Sequence, residues 1–150
     1  MIKLYNVKDC IEDLDEIMEW SYEEWGQFFR SSKEDKISKM KKIIENDEEF
    51  PQIYVLKEDG VLVGSFTIKD KDLEGSDLSP WIACVLVKKE LRGKGYGRIV
   101  LENMKKIIDE KYPKIYLFTS LVGFYEKIGF EYIKDVTHNG EVDRLYEYRG

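Results

Sequence analysis

The chain has 150 residues, 43% of them hydrophobic and 36% charged, with a formal net charge of −6. That is an ordinary soluble composition, long enough for one domain with a real core. No window approaches the roughly twenty apolar residues of a membrane span, so no membrane partner is expected.

Two cysteines, Cys10 and Cys84, make no disulfide framework. With a single histidine they leave no zinc site, so no metal is expected. The opening Met1-Ile2-Lys3-Leu4-Tyr5-Asn6 lacks the apolar core of a signal peptide, and the cytoplasm is the expected location. Charge is uneven. From Asp9 to Phe29 there are eight acids and no lysine or arginine, whereas Lys88 to Arg98 holds five basic residues and one acid. An acidic chain with one basic spot suits a locally bound anion, not nucleic acid, which needs a basic face.

In chain order, Ile2 to Val7 alternates as a strand. Asp9 is a candidate N-cap, followed by Ile11, Leu14, Ile17, Met18 and Trp20 to Trp25 at helical spacing. Ser32 is placed to cap a second helix, with Ile37, Met40, Ile43 and Ile44 on its buried face. Gln52 to Lys57 and Val61 to Ile68 read as a hairpin about Glu58-Asp59-Gly60. Asp70 to Ser79 is a polar loop. Pro80 to Val87 is almost wholly apolar and reads as a central strand covered on both faces. Tyr96, Ile99, Val100, Met104, Ile107 and Ile108 give a third helix one apolar face. Ile115 to Phe118 is a short buried strand, a helix around Tyr125 follows, and Phe130 to Val136 and Val142 to Tyr148 close the chain as a hairpin around Asn139-Gly140. The order is βααβββαβαββ, with no repeats or linkers, and residues 1–150 read as one domain.

The basic stretch ends an apolar strand and opens a helix, an arrangement that builds an anion site. Glycine permits φ > 0, the first helical turn leaves unpaired N–H groups, and the helix dipole favours negative charge there. Spacing narrows the reading. A dinucleotide fingerprint fails because its third glycine position falls on Arg98, and no stretch matches a Walker loop. The residues do match Arg-x-x-Gly-x-Gly, as Arg92-Gly93-Lys94-Gly95-Tyr96-Gly97. About thirty residues on comes Phe124-Tyr125-Glu126-Lys127-Ile128-Gly129-Phe130. Together these two segments resemble the acetyl-CoA loop and the second signature of the GNAT superfamily of N-acetyltransferases.

The resemblance implies an α/β (α+β) fold: a mixed sheet of about seven strands flanked by helices, its two central parallel strands splayed at one end. It implies that the main chain of Val85, Leu86 and Val87 pairs with the pantetheine arm of acetyl-CoA. The pyrophosphate then lies on Arg92, Gly93, Lys94, Gly95, Tyr96, Gly97 and Arg98, with Lys88 and Lys89 near the outer phosphates. Ser120 and Phe124 complete the cofactor-binding set. Relatives often carry an asparagine before the last helix, where this chain has Thr119-Ser120-Leu121. Tyr125 takes the position of the general acid that protonates the departing thiolate.

The base is harder to place. An alkylamine of pKa about 10.4 is neutral about once in 2,500 at pH 7, a penalty of roughly 4.6 kcal/mol. Relatives often place a glutamate on the strand before the loop, but Trp81-Ile82-Ala83-Cys84 has no carboxylate. Glu23, Glu24 and Asp77 are the candidates. Cys84, in an apolar strand, is expected to be inert. The acidic Asp9 to Glu24 segment reads as a solvated helix face or as a negative entrance for a cation.

The expected activity is transfer of acetyl from acetyl-CoA to a primary amine by direct attack. The acceptor is expected to be cationic: a polyamine, an aminoglycoside-like amine, an amino acid, or a protein N-terminus or lysine. A CoA-sensing module without catalysis and an acyltransferase for longer acyl groups are the alternatives. A homodimer is left open.

Overall fold

The computed structural model describes residues 1–150. Its strands are β1 (Ile2–Asn6), β2 (Gln52–Glu58), β3 (Val61–Lys69), β4 (Trp81–Val87), β5 (Lys114–Thr119), β6 (Glu131–His138) and β7 (Glu141–Arg149). Its helices are α1 (Leu14–Trp25), α2 (Lys33–Glu45) and α3 (Tyr96–Lys111). The strands form one seven-stranded sheet in the order β1-β2-β3-β4-β5-β7-β6. All neighbours are antiparallel except β4 and β5, which α3 connects as a crossover. No helix is long and apolar enough to cross a membrane.

Each face of the sheet carries its own core. On one, Leu14, Ile17 and Met18 of α1 pack with Val7, Ile53, Val55 and Leu62, and Ile37, Met40 and Ile44 of α2 lie against them. On the other, Val100, Leu101, Met104, Ile107 and Ile108 of α3 pack with Leu56, Phe66, Ile68, Ile82, Ile115 and Leu117. Burial of each such side chain contributes about 1.5–3 kcal/mol. Ser32 caps α2, its Oγ accepting from the Asp35 N–H at 3.1 Å, a contribution of about 1 kcal/mol.

Two boundaries differ from the expectation. Val7–Asp9 and Ile11–Asp13 form 3-10 turns before α1 begins at Leu14. Asn6, not Asp9, caps the first turn, accepting from the Lys8 N–H, and the extended φ of −148° at Cys10 separates the two turns. The fourth expected helix is a single 3-10 turn, Tyr125–Ile128, which Gly129 ends at φ 108°. Phe130 is then fully buried and β6 starts one residue later. Both hairpins turn as expected, with Asp59 and Gly60 at φ 51° and 84°, and Asn139 and Gly140 at 51° and 77°. Those left-handed pairs match the twist of the flanking strands.

The sheet opens in the middle. β4 and β5 pair only through Trp81 and Tyr116, with the Tyr116 N–H also donating to Pro80 O at 3.0 Å. Beyond that point they diverge. On the other side of β4, Thr67 pairs with Ala83 and Ser65 with Leu86, so Phe66 alone faces Cys84 and Val85. This is a β-bulge, with Cys84 at φ 52°. A non-glycine residue there costs about 1–2 kcal/mol. β4 is central as expected, but Ala83, Cys84, Val85 and Val87 are only half-buried because the opening lies beside them.

Candidate active site

The opening between β4 and β5 leaves β4 main-chain groups without a strand partner. The Lys88 N–H donates to Val63 O at 2.9 Å, toward β3. Successive residues along a strand present their main-chain groups to opposite edges, so those of Val87 face the opening. The Val87 carbonyl already accepts from Arg92 Nε at 3.1 Å.

The loop at the mouth has the anticipated form. Gly93 and Gly95 sit at φ 78° and 87°, with open space where a Cβ would project. Their role is conformational, the strained turn itself. Gly97 differs: it is helical, and a Cβ there would touch the Phe124 ring at 3.4 Å. It lets the turn carrying Tyr125 approach the start of α3. No side chain caps α3, so its first N–H groups remain free for an anion.

The cations around this loop are not equally free. Arg92 Nη2 lies 2.5 Å from Glu24 Oε1, tying the loop to the end of α1. Arg98 Nε lies 3.2 Å from Glu102 Oε1, with 80% of its side chain exposed, a surface pair of little energetic weight. Lys94 is exposed and carries no ion pair. Tyr96 donates its hydroxyl to Glu58 at 2.6 Å, so only its main chain serves the loop. Lys88 is half-buried and Lys89 exposed.

Tyr125 is 7% exposed and its hydroxyl makes no hydrogen bond with the protein. Its ring meets Phe124 edge-on at 5.0 Å and Phe130 at 6.0 Å. Burial pushes the phenol above its ordinary pKa. The turn is held by residues that no local motif announced. Glu126 accepts the Gly123 N–H at 3.0 Å and the Tyr146 hydroxyl at 2.9 Å. Arg144 Nε donates to the Tyr146 oxygen at 2.9 Å, and its guanidinium lies 4.0 Å from the Tyr132 ring centroid. Glu126 adjoins Tyr125 in sequence, but its partner Tyr146 comes from β7, twenty residues on.

Thr119 Oγ1 accepts from the Leu121 N–H at 3.1 Å, ordering the loop after β5, and Ser120 is exposed. Phe124 is half-buried against Gly97. Among the carboxylates considered as bases, Glu24 is engaged with Arg92, whereas Glu23 and Asp77 are exposed. Burial pushes the Cys84 thiol pKa upward, so it stays protonated.

The split between two parallel strands, the glycine loop with uncapped helix N–H groups and the Tyr125 phenol thus lie together at one end of the sheet. The comparisons show the family and the fold. The sequence matches the acetyltransferase (GNAT) family over residues 14–130, and the chain belongs to that family. No curated protein matches the sequence.

Among solved structures, the chain is similar to an N-acetyltransferase from Staphylococcus aureus Mu50, with TM-score 0.73, 16% identity, and coverage of 99% of this chain and 98% of that one. It is also similar to a spermidine N-acetyltransferase chimera from Vibrio cholerae, with TM-score 0.72, 16% identity, and coverage of 99% and 95%. A third is a putative acetyltransferase from Salmonella typhimurium, solved with its cofactor acetyl-CoA, with TM-score 0.69, 14% identity, and coverage of 99% and 93%. At these identities the likeness is one of fold.

Proposed function

We propose that the protein moves an acetyl group from acetyl-CoA to a primary amine by direct attack. The observation that carries the reading is the Tyr125 phenol, buried, without a hydrogen-bond partner, in the turn that packs on the first turn of α3.

The residues fit the cofactor. The uncapped start of α3 and the turn at Gly93 and Gly95 suit a pyrophosphate. The unpartnered edge of β4 suits an amide-bearing arm added like a strand. When bound, acetyl-CoA supplies a thioester whose carbonyl carbon accepts the amine. N–H groups on that edge stabilise developing negative charge on the carbonyl oxygen, an effect worth a few kcal/mol per donor. Tyr125 holds a proton for the leaving sulfur; a phenol keeps that proton at neutral pH, and burial extends its hold to more alkaline pH.

β4 offers no carboxylate, and Glu24 is engaged by Arg92. The amine therefore loses its proton to solvent before it attacks, so the rate rises with pH. The missing carboxylate is also the one observation favouring a CoA-binding module without catalysis. Incubation of the protein and acetyl-CoA with a panel of primary amines, read by mass spectrometry, separates the two. Acetylated product establishes the enzyme, and tight CoA binding without any product establishes the module.

A further inference from the structure

The chain holds one histidine, and the fold carries it to the open end of the sheet. Along β5, Ile115 and Leu117 belong to the core beside α3. Tyr116 and Phe118 therefore project to the opposite face, where they pack with Trp81 and Leu145. Phe118 lies on the stretch of β5 beyond the Trp81–Tyr116 pair, where β4 has turned away. Its ring meets the Trp81 ring edge-on at 6.0 Å and the His138 ring at 4.6 Å.

The β6–β7 hairpin gives His138 that reach. Arg144 of β7 stands opposite Thr119, the last residue of β5. The hairpin continues past it to His138 and Glu141, which flank the Asn139-Gly140 turn. That overhang is about 10 Å, at roughly 3.3 Å per residue. A flat ribbon would hold the imidazole well clear of Phe118, so the tip curls back over the end of β5. The bulge between Tyr132 and Lys134 adds to the twist. His138 is half-buried. Asn139 Nδ2 lies 3.1 Å from its Nε2. An amide nitrogen only donates, so Nε2 holds the lone pair and Nδ1 the proton. That neutral, exposed contact yields to a charged N–H donor.

Tyr125 belongs to the core on the α3 side, so the unpartnered phenol and the imidazole stand on opposite faces of one opening. We infer that His138 is the general base, its Nε2 taking the proton that the acceptor's ammonium loses. This rests on the acetyltransferase reading of the same site, and it makes the imidazole the route by which that proton reaches solvent. The ammonium N–H bond breaks toward Nε2, and the freed lone pair forms the C–N bond to the thioester carbonyl carbon. The C–S bond breaks with its pair left on sulfur, which takes the Tyr125 proton. A second proton from the nitrogen restores the phenol through water, and the imidazolium gives the first to solvent. Imidazole suits the step because it is the side chain that exchanges a proton near neutral pH.

The test uses acetyl-CoA and the primary amine of highest turnover in the panel. In His138→Gln, kcat at pH 7 is expected to fall about 100-fold, with KM for acetyl-CoA within twofold and Tm within about 2 °C. In His138→Gly, added imidazole is expected to restore kcat at least tenfold and to leave the native enzyme unaffected. Because the chain has one histidine, its ring C2–H gives one NMR signal in the native protein. The same amine, added with CoA, is expected to shift that signal. A kcat within threefold of native in His138→Gln, a loss that imidazole does not restore, or a signal unmoved by amine and CoA each overturns the inference and leaves acetyl transfer standing. A panel with no product from any amine overturns both.

Discussion

Arg92 joins the two halves of the site: its Nη2 meets Glu24 Oε1 at 2.5 Å while its Nε meets Val87 O at 3.1 Å. One guanidinium therefore spans the glycine loop, the open edge of β4 and the end of α1. Both charged side chains are more than a third exposed, so the pair adds little to stability after solvent screening. Its weight falls on the cofactor. Glu24 competes with a pyrophosphate for the guanidinium, so Glu24→Gln is expected to tighten CoA binding a few-fold, measured by calorimetry. Arg92→Ala together with Arg98→Ala is expected to weaken it at least tenfold, with Tm nearly unchanged. Unaltered CoA affinity in the double variant removes these arginines from the phosphate site. A large loss of kcat in Glu24→Gln with CoA affinity intact makes Glu24 the base instead.

Tyr125→Phe separates chemistry from packing. The ring belongs to the core, but the hydroxyl has no partner in the protein to lose. The variant is expected to keep its Tm within about 2 °C, since a surface-like loss of under 0.5 kcal/mol shifts a chain of this size no further. Its kcat is expected to fall about 100-fold or more, the range of a lost general acid. The pH dependence follows from the raised phenol pKa. Because folding favours the protonated form, this contribution to stability is complete below the unfolded value of about 10 and is lost as pH rises through the folded value. The acid therefore stays competent across the neutral and mildly alkaline range. The rate of the native enzyme is expected to climb between pH 6 and 9 without a falling limb from Tyr125.

The glycine loop and the Tyr125 turn were legible because each is a local device. A left-handed φ at Gly93 or Gly95, or a stop at Gly129, is written into the residue that adopts it. So were the hairpins at Asp59-Gly60 and Asn139-Gly140. The bulge at Cys84 was not legible, because it arises from the register of β3 against β4 and leaves no special residue behind. The partners of Glu24 and Glu126 were hidden for the same reason. Arg92 and Tyr146 reach them only when distant elements pack. The ion pairs of α1 were hidden as well, because a run of acids in sequence says nothing of the lysines that α2 lays beside it.

Glu126 is the residue whose loss is expected to disturb catalysis without touching substrate. Burial works to raise its pKa, but the N–H groups of Glu126 and Gly123 and the Tyr146 hydroxyl outweigh it and hold the carboxyl below its usual value. With the folded pKa depressed, the stabilisation is present above the unfolded value of about 4.3 and disappears as pH falls through the folded one. Glu126→Gln keeps the shape and an acceptor oxygen. Because the carboxylate is exposed, the variant is expected to lower stability by at most about 0.5 kcal/mol at pH 7 and by nearly nothing at pH 3, measured by urea unfolding. Its kcat is expected to fall several-fold with KM for acetyl-CoA nearly constant, because the turn carrying Tyr125 loosens. An unchanged kcat leaves Glu126 a structural cap only.

Gly129 ends the same turn and is the position where a single methyl group does most damage. Its φ of 108° is one that side chains rarely adopt, and a Cβ would lie 3.0 Å from the Tyr148 ring. That ring is fixed on both sides: it packs on Phe130 at 5.3 Å, and its hydroxyl donates to Asp109 of α3. Tyr148 therefore cannot swing away without breaking its tie to α3. Backbone strain of about 1–3 kcal/mol adds to the contact. Gly129→Ala is expected to lower Tm by about 5 °C or more, given a shift of roughly 2–4 °C per kcal/mol at this chain length. Gly93→Ala meets a left-handed φ of 78° but no neighbour, and is expected to cost about 1 kcal/mol and mainly to weaken CoA binding. Comparing the two by thermal melting separates backbone strain from crowding. Equal losses place the whole effect at Gly129 in its dihedral angle, and a larger loss there assigns the excess to Tyr148.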